Sequence, residues 1–141
     1  MEKFRILVVD DEVDFVETIV SRLRSKGLEA EGVYRGKEAI DLVDDKEFDV
    51  CILDVKMPGM DGIETLRELK KKKPHMEVIM LTGHGSVESG IKGLQLGAYN
   101  YVMKPVPFAD LLQQMVQAYE RKVIEEERMR VAESDQAPET R

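Results

Sequence analysis

Five short apolar runs alternate with stretches of helical period, and this alternation leaves few folds open. The runs are 4–9, 28–34, 48–53, 78–81 and 98–103. The first, third and fourth are nearly continuous Val, Ile and Leu, the pattern of strands buried on both faces of a parallel sheet. Between runs the apolar spacing changes to that of a helix. Val13, Val16, Val20 and Leu23 form one stripe, Ile63, Leu66 and Leu69 another, and Val87, Ile91 and Leu94 a third. Leu111, Leu112, Met115, Val116 and Tyr119 form the last. Gly27 follows the first helix, Gly62 follows a turn at Pro58-Gly59, and Pro74 stops the third helix. Strand and helix in strict alternation imply a doubly wound α/β sheet with right-handed crossovers.

A chain of 141 residues suffices for one such domain, and 43% hydrophobic with 35% charged residues is a globular composition. No apolar run is long enough for a bilayer, and the first is too short for a signal-peptide core, so the expected location is cytoplasmic, with no membrane contact. The one cysteine, Cys51, lies in an apolar run and reads as a core residue. A net charge of −7 argues against nucleic-acid binding. The basic run Lys70 to Lys73 reads as the solvated end of a helix, where the dipole favours cations. The domain is expected over 1–124. Residues 125–141 read as a charged helical extension and, from Ser134, a disordered end.

Ligands of an open parallel sheet bind beyond the carboxyl ends of its strands. The residues at those ends therefore carry the functional reading. Asp10-Asp11-Glu12 follows the first strand, Asp54 the third, Thr82 the fourth, and Lys104 with Pro105 the fifth. There is no G-x-G-x-x-G at the first turn and no G-x-x-x-x-G-K-[ST], which excludes a dinucleotide site and a P-loop. Two carboxylates there would repel a phosphate unless a divalent cation intervened. Hard oxygen donors suit Mg2+. Three carboxylates, Mg2+ and Lys104 sum to zero charge. Asp54 could then act as a nucleophile toward phosphorus, with Lys104 and Thr82 on the phosphoryl oxygens. Singly each has a plainer reading: Asp11 as a helix N-cap, Asp54 as a turn residue, Thr82 as a cap, Lys104 as a surface charge. It is their collection on one rim that argues for function.

On these residues the chain resembles the receiver domains of bacterial two-component response regulators. The matching stretches are Ile6 to Glu12, Ile52 to Gly62, Leu81-Thr82-Gly83 and Gly97 to Pro105, within residues 4 to about 122. The resemblance implies a flavodoxin-like sheet of order 2-1-3-4-5 with five helices. It implies that Asp54 is the phosphoacceptor and that Asp10, Asp11, Asp54 and the backbone carbonyl of Lys56 hold Mg2+. It further implies that Thr82 and Lys104 bind the phosphoryl group, that Tyr101 is the switch aromatic, and that Lys104-Pro105 is cis. Lys56 and His84 stand where the family tunes dephosphorylation. The phospho-donor would be a sensor histidine kinase, and the target a downstream output protein or fused domain, with a homodimer through helix four, strand five and helix five. The Thr82-Gly83-His84-Gly85 loop looks like that of sigma-54-dependent activators. Such a domain catalyses its own phosphorylation without turning over a separate substrate. Asn100 departs from the aspartate of many relatives. His75 reads as a surface residue.

Two other functions compete. A haloacid-dehalogenase-like phosphatase would need a second Asp two positions after Asp10, where Glu12 stands. A phosphorylation-independent module would have lost Asp54, Lys104 or the acidic pair. One further expectation concerns the fourth helix, placed at 86–97. Gly90 and Gly93 should weaken it by about 1 kcal/mol each. Val87, Ile91 and Leu94 should hold it, and alanine at both glycines should raise stability. On the last helix and its extension, Val123 and Met129 could seam a short coiled coil between two protomers.

Overall fold

The computed structural model describes residues 2–56, 61–83 and 87–136. Strands β1 (Arg5–Val9), β2 (Glu29–Val33), β3 (Val50–Asp54), β4 (Glu77–Thr82) and β5 (Asn100–Met103) alternate with helices. These are α1 (Val13–Ser25), α2 (Gly36–Asp45), α3 (Gly62–Lys72), α4 (Val87–Gln95) and α5 (Phe108–Gln136). All strands pair in parallel, in the order β2-β1-β3-β4-β5. The expected α/β sheet order is thus the observed one. The turn placed at Pro58-Gly59 lies outside the described residues.

The continuous apolar runs have the cause inferred for them. Ile6, Val8, Ile52, Ile79 and Leu81 face α1 and α5, where they meet Val16, Leu23, Leu111 and Met115. The residues between them, Leu7, Val9, Cys51, Leu53, Val78 and Met80, face Ala39, Leu66, Leu69 and Ala98 on the other side. A sheet covered on both faces has no polar alternation. β2 is an edge strand and buries fully only Ala30, which explains its weaker signal. Complete burial pushes the Cys51 thiol far up, so it is an inert core group.

Three expectations change. In α1 the buried stripe is Val16, Ile19, Val20 and Leu23, while Val13 is exposed. In α4, Ile91 is 52% and Leu94 48% exposed, so these two do not hold the helix as expected; the side chain of Val87 lies outside the described residues. It is Gly90 and Gly93 that face the sheet. A Cβ on Gly90 would stand 2.8 Å from the Tyr101 ring, and one on Gly93 3.3 Å from Met80 Cγ. The glycines are therefore close-approach residues, and alanine at Gly90 would have to displace the Tyr101 ring, which counts against the expected gain in stability. In the basic run, Lys70 is not simply solvated. Its ammonium donates to the carbonyls of Pro74 and Met76, each at 2.9 Å, and burial pulls its pKa down. α5 continues from the domain through residue 125, where a charged helical extension was expected, to Gln136.

At the amino ends of the strands, two buried carboxylates meet cations. Asp49, just before β3, accepts the Arg5 backbone N–H at 2.8 Å and pairs with Lys122 at 3.1 Å. Glu77, the first residue of β4, pairs in two-pronged fashion with Arg121, whose guanidinium also lies 4.6 Å from the Tyr99 ring centre. Phe4 stacks on Tyr119 with ring centres 4.8 Å apart. These contacts fasten α5 to that edge before its charged extension leaves the domain.

Candidate functional site

The carboxyl ends of β1, β3, β4 and β5 bring the expected residues to one rim. Asp10 follows β1 and is 1% exposed, Asp54 ends β3, and Thr82 ends β4, all buried. Lys104 follows β5, its backbone N–H donating 2.7 Å to the Thr82 carbonyl. The Lys104-Pro105 bond is cis, as expected. One carboxylate oxygen from each of Asp10, Asp11 and Asp54 lies within 4.8 Å of the others. The plainer readings of single residues do not describe this rim. Glu12 rather than Asp11 is the N-cap residue of α1, and it makes no side-chain cap. Asp54 is a paired strand residue, and Thr82 lies in β4.

Local geometry explains how the acids are held. Asp10 Oδ1 accepts the Glu12 N–H at 2.9 Å, which turns the chain from β1 into α1. The Asp54 carboxylate accepts the backbone N–H of Lys56. α3 starts close over β3 because residue 62 is glycine: a Cβ there would be 2.3 Å from the Asp54 carbonyl oxygen. Asp61 caps that helix, accepting the Glu64 N–H at 2.8 Å.

The electrostatics are unbalanced. Burial, then the neighbouring Asp10 charge, pushes the Asp54 carboxyl up to about 7. Burial also raises Asp10, against the pull of Lys104. For Lys104, burial lowers the ammonium, but hydrogen bonds to Asp10 at 2.6 Å and Glu12 at 2.8 Å outweigh it, and the net shift is upward. Three converging hard-oxygen donors, one of them raised by burial and by the neighbouring Asp10 charge, fit a divalent cation such as Mg2+.

Around this rim the remaining expected residues fall as follows. Tyr101 is half-buried on β5, its ring against Gly90. Lys56 is exposed. His84 lies outside the described residues. Sequence reasoning did not assign Phe15, whose ring lies 4.4 Å from the Lys104 ammonium, nor the pairing of Glu12 with that ammonium. The third acid in Asp10-Asp11-Glu12 was a visible signal. Phe15, outside the apolar stripe of α1, gave none.

Comparison with known proteins agrees with this geometry. The family model for the response regulator receiver domain matches residues 6–117. The chain belongs to the response regulator receiver domain family. It is 38% identical over 115 residues to the transcriptional regulatory protein ZraR of Salmonella typhimurium, an alignment covering 82% of this chain and 26% of that protein. A CheY-like receiver domain protein from Methanospirillum hungatei superposes with a TM-score of 0.84 at 32% identity, covering 88% of this chain and 99% of that one. NtrX from Brucella abortus gives 0.87 at 29% identity over 94% of this chain and 31% of its own. The receiver chain spans about a quarter of the length of the curated relatives it matches. No helix among its described residues is long and apolar enough to cross a membrane.

Proposed function

We propose that this receiver domain is a Mg2+-dependent switch that accepts a phosphoryl group on Asp54 from a sensor histidine kinase in the cytoplasm and passes the change to an output protein or fused domain. The observation that carries the reading is the gathering of Asp10, Asp11 and Asp54 at one rim, with Lys104 and Thr82 closing it. Mg2+ would be held by those three carboxylates and the Lys56 backbone carbonyl. When bound, it would offset negative charge on the transferring oxygens. An Asp54 carboxylate oxygen bonds to phosphorus as the bond from phosphorus to the donor's imidazole nitrogen breaks, and the imidazole leaves with the electron pair. The Lys104 ammonium and the Thr82 hydroxyl then donate to the phosphoryl oxygens. Lys56 and His84, at the positions where the family tunes dephosphorylation, would set how fast water removes the phosphoryl group.

The chain's exposed Ile91, Leu94 and Met103 place an apolar surface on α4 and β5. That surface supports an output or homodimer contact there, gated by Tyr101. Incubation with Mg2+ and a small phosphodonor, followed by intact mass, tests the reading. One added phosphoryl group is expected on the wild type and none on Asp54→Asn. Labelling of Asp54→Asn at the wild-type level contradicts the assignment.

A further inference from the structure

The Lys104 ammonium occupies a three-sided berth built from the turn between β1 and α1 and from the first turn of α1. Nζ lies 2.6 Å from Asp10 Oδ2, 2.8 Å from Glu12 Oε1 and 4.4 Å from the centre of the Phe15 ring. Among the described residues, its ion pairs are with Asp10 and Glu12 and not with Asp54. Glu12 and Phe15 are three residues apart at the start of α1, a spacing that puts both side chains on one face. The Glu12 side chain is 66% exposed and stands outside the trio of converging carboxylates. It makes no side-chain cap for α1, and among the described residues it pairs with the lysine.

This arrangement adds to the function proposed above, in which Lys104 serves a phosphoryl group on Asp54. We propose that Glu12 and Phe15 are positioning residues that hold Lys104 in a resting berth, and that this berth competes with the phosphoryl group for the ammonium. In the resting domain the amine is kept charged and aimed at the rim. In the phosphorylated domain it leaves Glu12 and the ring. Stability given to the resting contacts is therefore subtracted from the phosphorylated state, because only a difference between two states moves their equilibrium. An ion pair exposed on one side and an aromatic contact of this kind each shift such an equilibrium by about two- to fivefold.

The test is the affinity of the intact chain for fluoroberyllate, a phosphoryl mimic, at saturating Mg2+, measured by calorimetry. Glu12→Gln removes charge and pair together. Glu12→Asp keeps the charge but withdraws it by one methylene. Both should bind the mimic about two- to fivefold more tightly than the wild type. Phe15→Leu should move the same way by a smaller factor. Thermal melts at each composition confirm that the variants are folded, which the absence of a Glu12 cap makes the expected result. If Glu12→Gln tightens binding and Glu12→Asp does not, simple repulsion of the anion by Glu12 explains the effect and the berth is overturned. Unchanged affinity in both variants overturns it as well, and unchanged affinity in Phe15→Leu overturns the part given to the ring. Failure of the wild type to bind the mimic is distinct from all of these: it overturns the phosphoryl site itself and the berth with it.

Discussion

The two ends of the sheet each bury two carboxylates and treat them in opposite ways. At the amino edge, Asp49 and Glu77 meet Arg5, Lys122 and Arg121. At the carboxyl rim, Asp10 and Asp54, with Asp11 and Glu12 beside them, share Lys104. The first end is complete in itself and anchors α5. The second carries surplus negative charge, which raises the Asp54 carboxyl to about 7. The contrast separates a structural ion cluster from a functional one, since buried acids are common to both and the missing counter-charge is not.

The same substitution at the two ends should therefore act with opposite sign. Asp49→Asn should cost about 2 kcal/mol, because it removes the buried charge that Lys122 and Arg5 meet and leaves Lys122 only the exposed Glu126. Asp54→Asn should instead stabilise the metal-free domain by about 2 kcal/mol at pH 8. The sign follows from linkage. Burial raises the folded carboxyl to about 7 from an ordinary 3.8, so the folded domain keeps a proton that the unfolded chain has lost. Stability falls as pH rises between those values. The gain from Asp54→Asn should thus be full above pH 7 and vanish near pH 4, as urea titrations along a pH series would show. Loss of stability in Asp54→Asn at pH 8 would mean that the rim is balanced after all.

The helices repeat the contrast on a smaller scale. α5 is tied down by ion pairs, whereas α4 rests on the sheet through glycine. Gly90→Ala gains about 1 kcal/mol of helix propensity but must displace the Tyr101 ring, a repacking cost of about 1–3 kcal/mol. A net loss of about 1 kcal/mol is expected, with altered Tyr101 side-chain resonances. A more stable variant with an unmoved ring would show that α4 does not rest on Tyr101.

Most of the rim was legible because its residues sit where strand runs end, and a parallel sheet brings those ends together whatever their distance in sequence. Asp10, Asp54, Thr82 and Lys104 needed only that rule. The face of α4 was misread because periodicity ranks residues by hydrophobicity, and glycine carries no such signal. A helix that approaches through Gly90 and Gly93 leaves Ile91 and Leu94 outside. The amino-edge pairs were invisible for a different reason. Asp49 and Lys122, or Glu77 and Arg121, are ordinary charges in sequence, and only the middle of α5 passing that edge makes them partners.

The central claim is that the rim lacks one cation's worth of charge and that Mg2+ supplies it. Proton release on Mg2+ binding tests this most directly, measured by calorimetry of the metal-free chain in two buffers of different ionisation enthalpy. With the Asp54 carboxyl near 7, binding should release about 0.9 proton at pH 6 and about 0.1 at pH 8, and Asp54→Asn should release far less at pH 6. Mg2+ binding at pH 6 without proton release, or release undiminished in Asp54→Asn, would contradict the account.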